Sequence, residues 1–184
     1  MWLLKLSKET NIVIKVKKTK FKNLLVLEGT AYKDKRGYLR ELLIEKNLKI
    51  KFKFQIISKS KKNVLRGLHF QYKKPQGKYI SVIKGKIFDV AVDLRKGSKT
   101  YGKHFSIVLS EDNYKSVFVP AGFAHGFQTL SKENIVCYSC TEYRSAENER
   151  GLLYNDPLLK IKWPKKNPIT SIKDRNAKKF NEIF

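Results

Sequence analysis

Apolar and polar residues alternate with a period of two through most of this chain, the pattern of strands that bury one face. Residues 1–20 interleave lysines with Ile12, Val13, Ile14 and Val16, which predicts an N-terminal arm or edge strand whose charges discourage unwanted pairing. Further strands are predicted over 24–27, 64–71, 79–83, 86–94, 105–109, 116–119, 126–130 and 135–141. Tyr32 to Glu41 reads as a charged turn around Arg36-Gly37 that leads into another strand or a short helix. Pro75 and Gly77 mark 73–78 as a loop, and Lys84-Gly85 suggests a tight hairpin between the runs on either side. A helical pattern is expected only from Ile172 to Phe184, with Ser171 as N-cap and Asp174 completing an acidic variant of the capping box. Many short strands with few helices imply an all-β antiparallel sandwich or barrel, closed or doubled to protect its edges, with short peripheral helices.

The run 86–94 has two different faces. Phe88, Val90, Val92 and Leu94 share one, while Asp89 and Asp93 share the other with Ile87 and Ala91, so the interior is expected to be partly polar. With 184 residues, 41% of them hydrophobic, the chain suits one domain over 1–184 with a sizeable core. Forty Lys and Arg against 16 Asp and Glu give a formal charge of +24. These cations are dispersed from Lys5 to Lys179 and accompany no zinc-finger spacing, RNA-binding motif or basic helix, which argues against specific nucleic-acid binding. Such a field would equally steer a small polyanion such as a nucleoside diphosphate derivative.

Cys137 and Cys140 have CxxC spacing, yet residues three apart on a strand point to opposite faces. They are expected to be separate packing residues in a reducing compartment. Trp2-Leu3-Leu4 is too short for a signal sequence, and no apolar run approaches membrane-spanning length, so a cytoplasmic protein with no membrane partner is expected.

Only three histidines are present. His69 lies in Val64-Leu65-Arg66-Gly67-Leu68-His69-Phe70-Gln71, which brings a titratable base and a fixed cation into one apolar stretch. On these eight residues alone, a core histidine beside a surface arginine is an equal reading. Strict alternation would send Arg66 and His69 to opposite faces, and only a bulge or twist at Gly67 would bring them together. His125 ends a Pro-x-Gly-x-x-His turn, Pro120 to His125, of the kind that cupin jelly rolls use for a metal ligand. His69-Phe70-Gln71 offers no second histidine of a pair and no glutamate follows, so a barrel with no metal is favoured. His104, beside Lys103, is expected at the surface. Tyr138 shares a strand face with Val136 and Cys140, which reads as a core tyrosine or, placed across a cavity from His69, as a proton donor.

These segments, with Pro75-Gln76-Gly77-Lys78, Phe88 to Arg95, Pro120 to Phe127, Glu149-Arg150-Gly151, Asn155-Asp156-Pro157, Trp163-Pro164 and Ser171 to Asp174, resemble the dTDP-4-dehydrorhamnose 3,5-epimerases from about Leu24 to Asp174. The resemblance implies a cupin-like jelly roll, a homodimer, and an isomerase that needs no cofactor. It implies epimerisation of dTDP-4-keto-6-deoxyglucose at C3 and C5, and leaves as the alternative a single-centre epimerase or a ketoisomerase on a related nucleotide sugar. Carried over motif by motif, His69 resembles the general base, Asp174 the acid that orients it, Tyr138 the general acid on the other sugar face, and Lys78 the cation near the enolate oxygen. Arg66 resembles a diphosphate ligand, His125 a sugar contact, Tyr143 an aromatic stacked on thymine, and Glu149 and Lys173 further contacts. Arg36 and Glu41 would reach the nucleotide from the partner subunit. Gln55, in Gln55-Ile56-Ile57-Ser58, stands near a Gln-x-Asn-x-Ser run of the family and is expected to touch substrate.

Overall fold

The computed structural model describes residues 14–183. Thirteen strands follow in chain order: β1 (Lys15–Lys18), β2 (Leu25–Glu28), β3 (Ala31–Asp34), β4 (Gly37–Arg40), β5 (Phe54–Lys61), β6 (Leu65–Gln71), β7 (Lys78–Lys84), β8 (Lys86–Asp93), β9 (His104–Ser110), β10 (Lys115–Val119), β11 (Phe123–Thr129), β12 (Glu133–Cys140) and β13 (Glu149–Gly151). Two single-turn helices, α1 (Glu45–Leu48) and α2 (Ile172–Arg175), lie at the periphery. A six-stranded antiparallel sheet runs β1-β2-β10-β7-β12-β5 and a five-stranded one runs β13-β6-β11-β8-β9, with β3 and β4 as a separate hairpin. This is the all-β antiparallel architecture that the alternation and turn spacing predict, in the cupin-like jelly-roll form that the resemblance implies. No helix among the described residues is long and apolar enough to cross a membrane.

Alternation explains how the sheets assemble. Ile80, Val82, Val117, Val119 and Val136 of one sheet pack against Ile87, Ala91, Phe123 and Phe127 of the other. The opposite face of β8, carrying Val90 and Val92, packs outward with Leu68, Phe70, Ala124, Leu152 and Leu159 beneath the C-terminal segment. A third cluster, Leu27, Tyr79 and Phe118, is covered by Leu43, Ile44, Leu48, Ile50 and Phe52 around α1. Each fully buried Leu, Ile or Phe contributes about 1.5–3 kcal/mol by leaving water, so both sheets are held from two sides.

The structure corrects several expectations. The runs on either side of Lys84-Gly85 form no hairpin: β7 pairs with β10 and β12, whereas β8 pairs with β11 and β9. Gly85, at φ +83°, turns the chain from one sheet to the other, where a Cβ would lie 2.3 Å from the Glu133 carbonyl oxygen. The helix expected over 172–184 stops at Arg175, because the chain beyond it docks on the 150s and forms only a single 3₁₀ turn, Phe180–Glu182. Lys178 bridges Leu152, and the Phe180 N–H donates to Asp156 Oδ2 at 2.6 Å. His104 is half-buried rather than superficial, with Nδ1 2.9 Å from the Leu159 carbonyl, to which it donates. Of the arm expected over 1–20, β1 is an exposed edge strand as predicted, while residues 1–13 lie outside the described residues.

Candidate active site

The bulge required at Gly67 is present. Register between β11 and β6 runs His125 opposite His69 but Phe127 opposite Arg66, so β6 carries one extra residue there. Gly67 has φ +127°, which disfavours any side chain, and a Cβ on it would sit 2.6 Å from Gly126 Cα. The bulge rotates the strand between the two positions. Both Arg66 and His69 therefore line one cavity of about 380 Å³ between the sheets.

His69 Nε2 lies 2.6 Å from Asp174 Oδ1. An ionised carboxylate only accepts, so His69 carries its proton on Nε2 and keeps Nδ1 as the basic nitrogen. Asp174 is placed by the N-terminus of α2, where the Ser171 hydroxyl caps its backbone N–H at 3.0 Å. Burial opposes ionisation of Asp174, yet the His69 hydrogen bond and charge, with the Ser171 hydroxyl and the Gly67 N–H, hold it below the usual carboxylate range. Ser171 thus caps α2 as expected, but Asp174 does not close the expected capping box: its carboxylate takes His69 and the Gly67 N–H instead.

Tyr138 comes from β12 on the opposite sheet, and its hydroxyl lies 3.2 Å from Ser58 Oγ of β5. Burial pushes its hydroxyl well above the ordinary tyrosine range, so it is a protonated phenol at any physiological pH. Lys78, at the start of β7, also faces the cavity. Desolvation draws its ammonium below the ordinary lysine value, against the opposing pull of Cys140, Glu149 and Asp89.

His125 is buried on β11, and its Nε2 donates to Asp89 Oδ2 at 2.8 Å. Asp89 is fully buried and its other carboxylate oxygen is the one buried side-chain polar atom without a partner among the described residues. The sequence shows Asp89 on the interior face but gives it no role; an isolated carboxylate among Ile87 and Ala91 is the signal that a buried partner awaits it. Asp93 on the same face serves the fold instead, binding Arg95, Ser98 and Thr100.

Arg66 Nε donates to Ser60 Oγ at 3.0 Å, which fixes the guanidinium beside the cavity. Glu149 on β13 accepts from Arg144 and Lys173, each at 3.0 Å, and all three line the cavity. Tyr143 is 62% exposed and stacks on Phe54, ring centroids 6.0 Å apart at 15°.

Four expected contacts do not line this pocket: Tyr143 stands beside it against Phe54, and Arg36, Glu41 and Gln55 lie elsewhere. Arg36 lies in the β3–β4 turn and binds Asp34, and Glu41 follows β4 at the surface. Gln55 is turned to the other face of β5, where its amide donates to Ser139 Oγ at 3.0 Å. Pairing of β5 with β12 is unbroken from Phe54 to Lys61, so period two puts Phe54, Ile56, Ser58 and Ser60 on the face that Gln55 leaves. Phe54 and Ile56 line the cavity, and counting back in twos from Ser58 would have found them. Cys137 and Cys140 are separate free thiols, as expected, and Cys140 joins the lining. Among the described residues no group of three or more His, Cys, Asp or Glu side chains is arranged to hold a metal ion.

Comparison with known proteins gives a consistent result. The sequence profile of dTDP-4-dehydrorhamnose 3,5-epimerase matches residues 18–182. The dTDP-4-dehydrorhamnose 3,5-epimerase of Methanothermobacter thermautotrophicus is 46% identical over 90% of this chain and 94% of its own length. Among solved structures, the dTDP-6-deoxy-D-glucose-3,5-epimerase of Legionella pneumophila Philadelphia 1, in complex with dTDP-4-keto-L-rhamnose, aligns with a TM-score of 0.89 and 40% identity, covering 94% of this chain and 95% of that one. The dTDP-4-dehydrorhamnose 3,5-epimerase of Bacillus anthracis, with TDP and pyrophosphate bound, aligns with a TM-score of 0.86 and 42% identity over 90% and 99%.

Proposed function

Because this chain belongs to the dTDP-4-dehydrorhamnose 3,5-epimerase family and is an isomerase, we propose that its pocket epimerises dTDP-4-keto-6-deoxyglucose at C3 and C5 to dTDP-4-keto-L-rhamnose. The observation that carries the reading is the placement of a carboxylate-backed histidine and a protonated tyrosine on opposite walls of one cavity. A carbonyl at C4 acidifies the hydrogens on both neighbouring carbons. His69 Nδ1 removes one, the electrons move onto the C4 oxygen, and Tyr138 returns a proton from the other face, which inverts the centre. The His69 imidazolium formed in that step is stabilised by Asp174.

Lys78 and His125 supply charge and hydrogen bonding for the developing enolate oxygen. A preorganised donor of this kind contributes about 3 kcal/mol and a positioned base about 10²- to 10⁴-fold. Arg66 receives the diphosphate, with Glu149 and Lys173 as further substrate contacts. The chain acts as a cytoplasmic homodimer, and Arg36 and Glu41, which lie apart from this pocket, complete the partner's nucleotide site. Exposed Tyr38, Leu39 and Ile57 are consistent with a buried subunit contact.

Incubation of the purified protein with dTDP-4-keto-6-deoxyglucose, followed by proton NMR of the product, tests the reading. The L-rhamno configuration at C3 and C5 is expected. Inversion at one centre alone would make the protein a single-centre epimerase, and an unchanged substrate would refute the assignment.

A further inference from the structure

The wall of the pocket formed by β5 changes character along its length. Ser60 and Ser58 bind Arg66 and Tyr138, whereas the next two positions on the same face are Ile56 and Phe54. Phe54 lies opposite Cys140, two pairs beyond Tyr138 and on the same face, and stacks with Tyr143. Tyr143 of this aromatic pair is 62% exposed and Phe54 is partly exposed, and the neighbouring Ile56 is 42% exposed, so apolar surface is presented at the pocket wall and beside it.

The polar side chains around that surface are already committed. Gln71 donates to the carbonyls of Lys74 and Tyr143, and its own carbonyl accepts from the Ser145 N–H at 2.8 Å. Gln76 donates to the Glu142 carbonyl, and Lys53 pairs with the Glu142 carboxylate while lying 5.2 Å from the Tyr143 ring centre. These bonds hold the Tyr143 loop in place. They leave little to read the edge of a planar ring that settles against it.

We propose that Phe54, flanked by Ile56, is a specificity-determining residue that takes the nucleobase by stacking together with Tyr143, so that this chain grips a pyrimidine by its face and discriminates weakly among pyrimidine edges. The inference rests on the nucleotide-sugar reading above and adds what holds the base. Stacking is tolerant because every base offers a π-face, whereas hydrogen bonds to base edges are selective. Replacing the ring removes stacking area and leaves the diphosphate contacts intact.

The test is calorimetric binding of dTDP, dUDP, dCDP and inorganic pyrophosphate to the full-length protein, its Phe54→Ala and Phe54→Leu variants, with thermal melting as the check on folding. The expected result is that the three nucleotides bind the wild type within about fivefold of one another, that Phe54→Ala weakens dTDP by about tenfold or more, and that pyrophosphate binding is unchanged. Phe54→Leu, which keeps apolar bulk without the ring, should fall between and serves if the alanine variant does not fold. Preference for dTDP over dCDP beyond about a hundredfold, or dTDP affinity unchanged in the folded variants, would overturn the proposal while leaving the epimerase reading intact. Failure of the wild type to bind dTDP at all would remove both.

Discussion

At the scale of single residues, the pocket separates its ionisable groups by environment. Asp174 is held ionised below its ordinary range, Tyr138 is held protonated far above its own, and Lys78 is drawn down by desolvation. A lysine whose folded value is lowered loses its charge earlier as pH rises. The rate constant kcat/KM should therefore fall on the alkaline side through the lowered Lys78 value, beneath the ordinary 10.5, while Tyr138 is still protonated. A pH profile checks this, and in Lys78→Arg, whose guanidinium stays charged, the remaining activity should lack that limb. His69 and Arg66 stood out because a base and a fixed cation share one short apolar run, whereas Lys78 was singled out only by the family resemblance and Tyr138 read equally as a core residue. Asp89 was visible only as a carboxylate on an apolar face; the partner that explains it, His125, lies 36 residues away in sequence.

At the scale of elements, the strand pattern was legible wherever one face is apolar and the other polar. Strand β5 escaped notice because Ile57 breaks the alternation on the face opposite Phe54 and Ile56, where it is 67% exposed. The partners of β7 and β8 could not be read from local sequence either, since a turn residue such as Gly85 serves a hairpin or a change of sheet equally well. The bulge on β6 was anticipated as a chemical necessity and is where two strands approach through Gly67 and Gly126. Gly67→Ala would place a methyl group 2.6 Å from Gly126 Cα at a φ of +127°. A positive φ of this kind costs about 1–3 kcal/mol before any clash is added, so melting should drop by several degrees and turnover by more than tenfold. Thermal melting and steady-state kinetics on the variant check both. Full wild-type activity with unchanged stability would mean that the bulge does not place the two side chains.

At the scale of the molecule, stability and encounter depend on charge in different ways. Burial raises the Asp93 carboxyl, but hydrogen bonds from Arg95, Thr100 and Ser98 outweigh it and hold the group at about 2, against 3.8 when free. A depressed carboxylate contributes stability above its unfolded value and loses that contribution as pH falls through the folded one. Asp93→Asn should thus melt below the wild type at neutral pH, with the gap closing between about pH 4 and pH 2. The formal charge of +24 acts at longer range, drawing a diphosphate substrate toward the pocket. Raising salt from about 0.05 to 0.5 M shortens the screening length severalfold, so kcat/KM should fall with little change in kcat. The all-β antiparallel class was legible from periodicity and turn spacing. Arg36 and Glu41 lie outside this pocket, in the β3–β4 turn and just beyond β4.

The central claim is that a base on one sheet and an acid on the other work on opposite faces of one sugar. Deuterium incorporation at C3 and C5 of dTDP-4-keto-6-deoxyglucose in heavy water, followed by NMR for the wild type, His69→Ala and Tyr138→Phe, tests it most directly. The wild type should label both positions and invert both, His69→Ala should do neither, and Tyr138→Phe should retain some labelling while losing inversion. Labelling and inversion at the wild-type rate by His69→Ala would contradict the account.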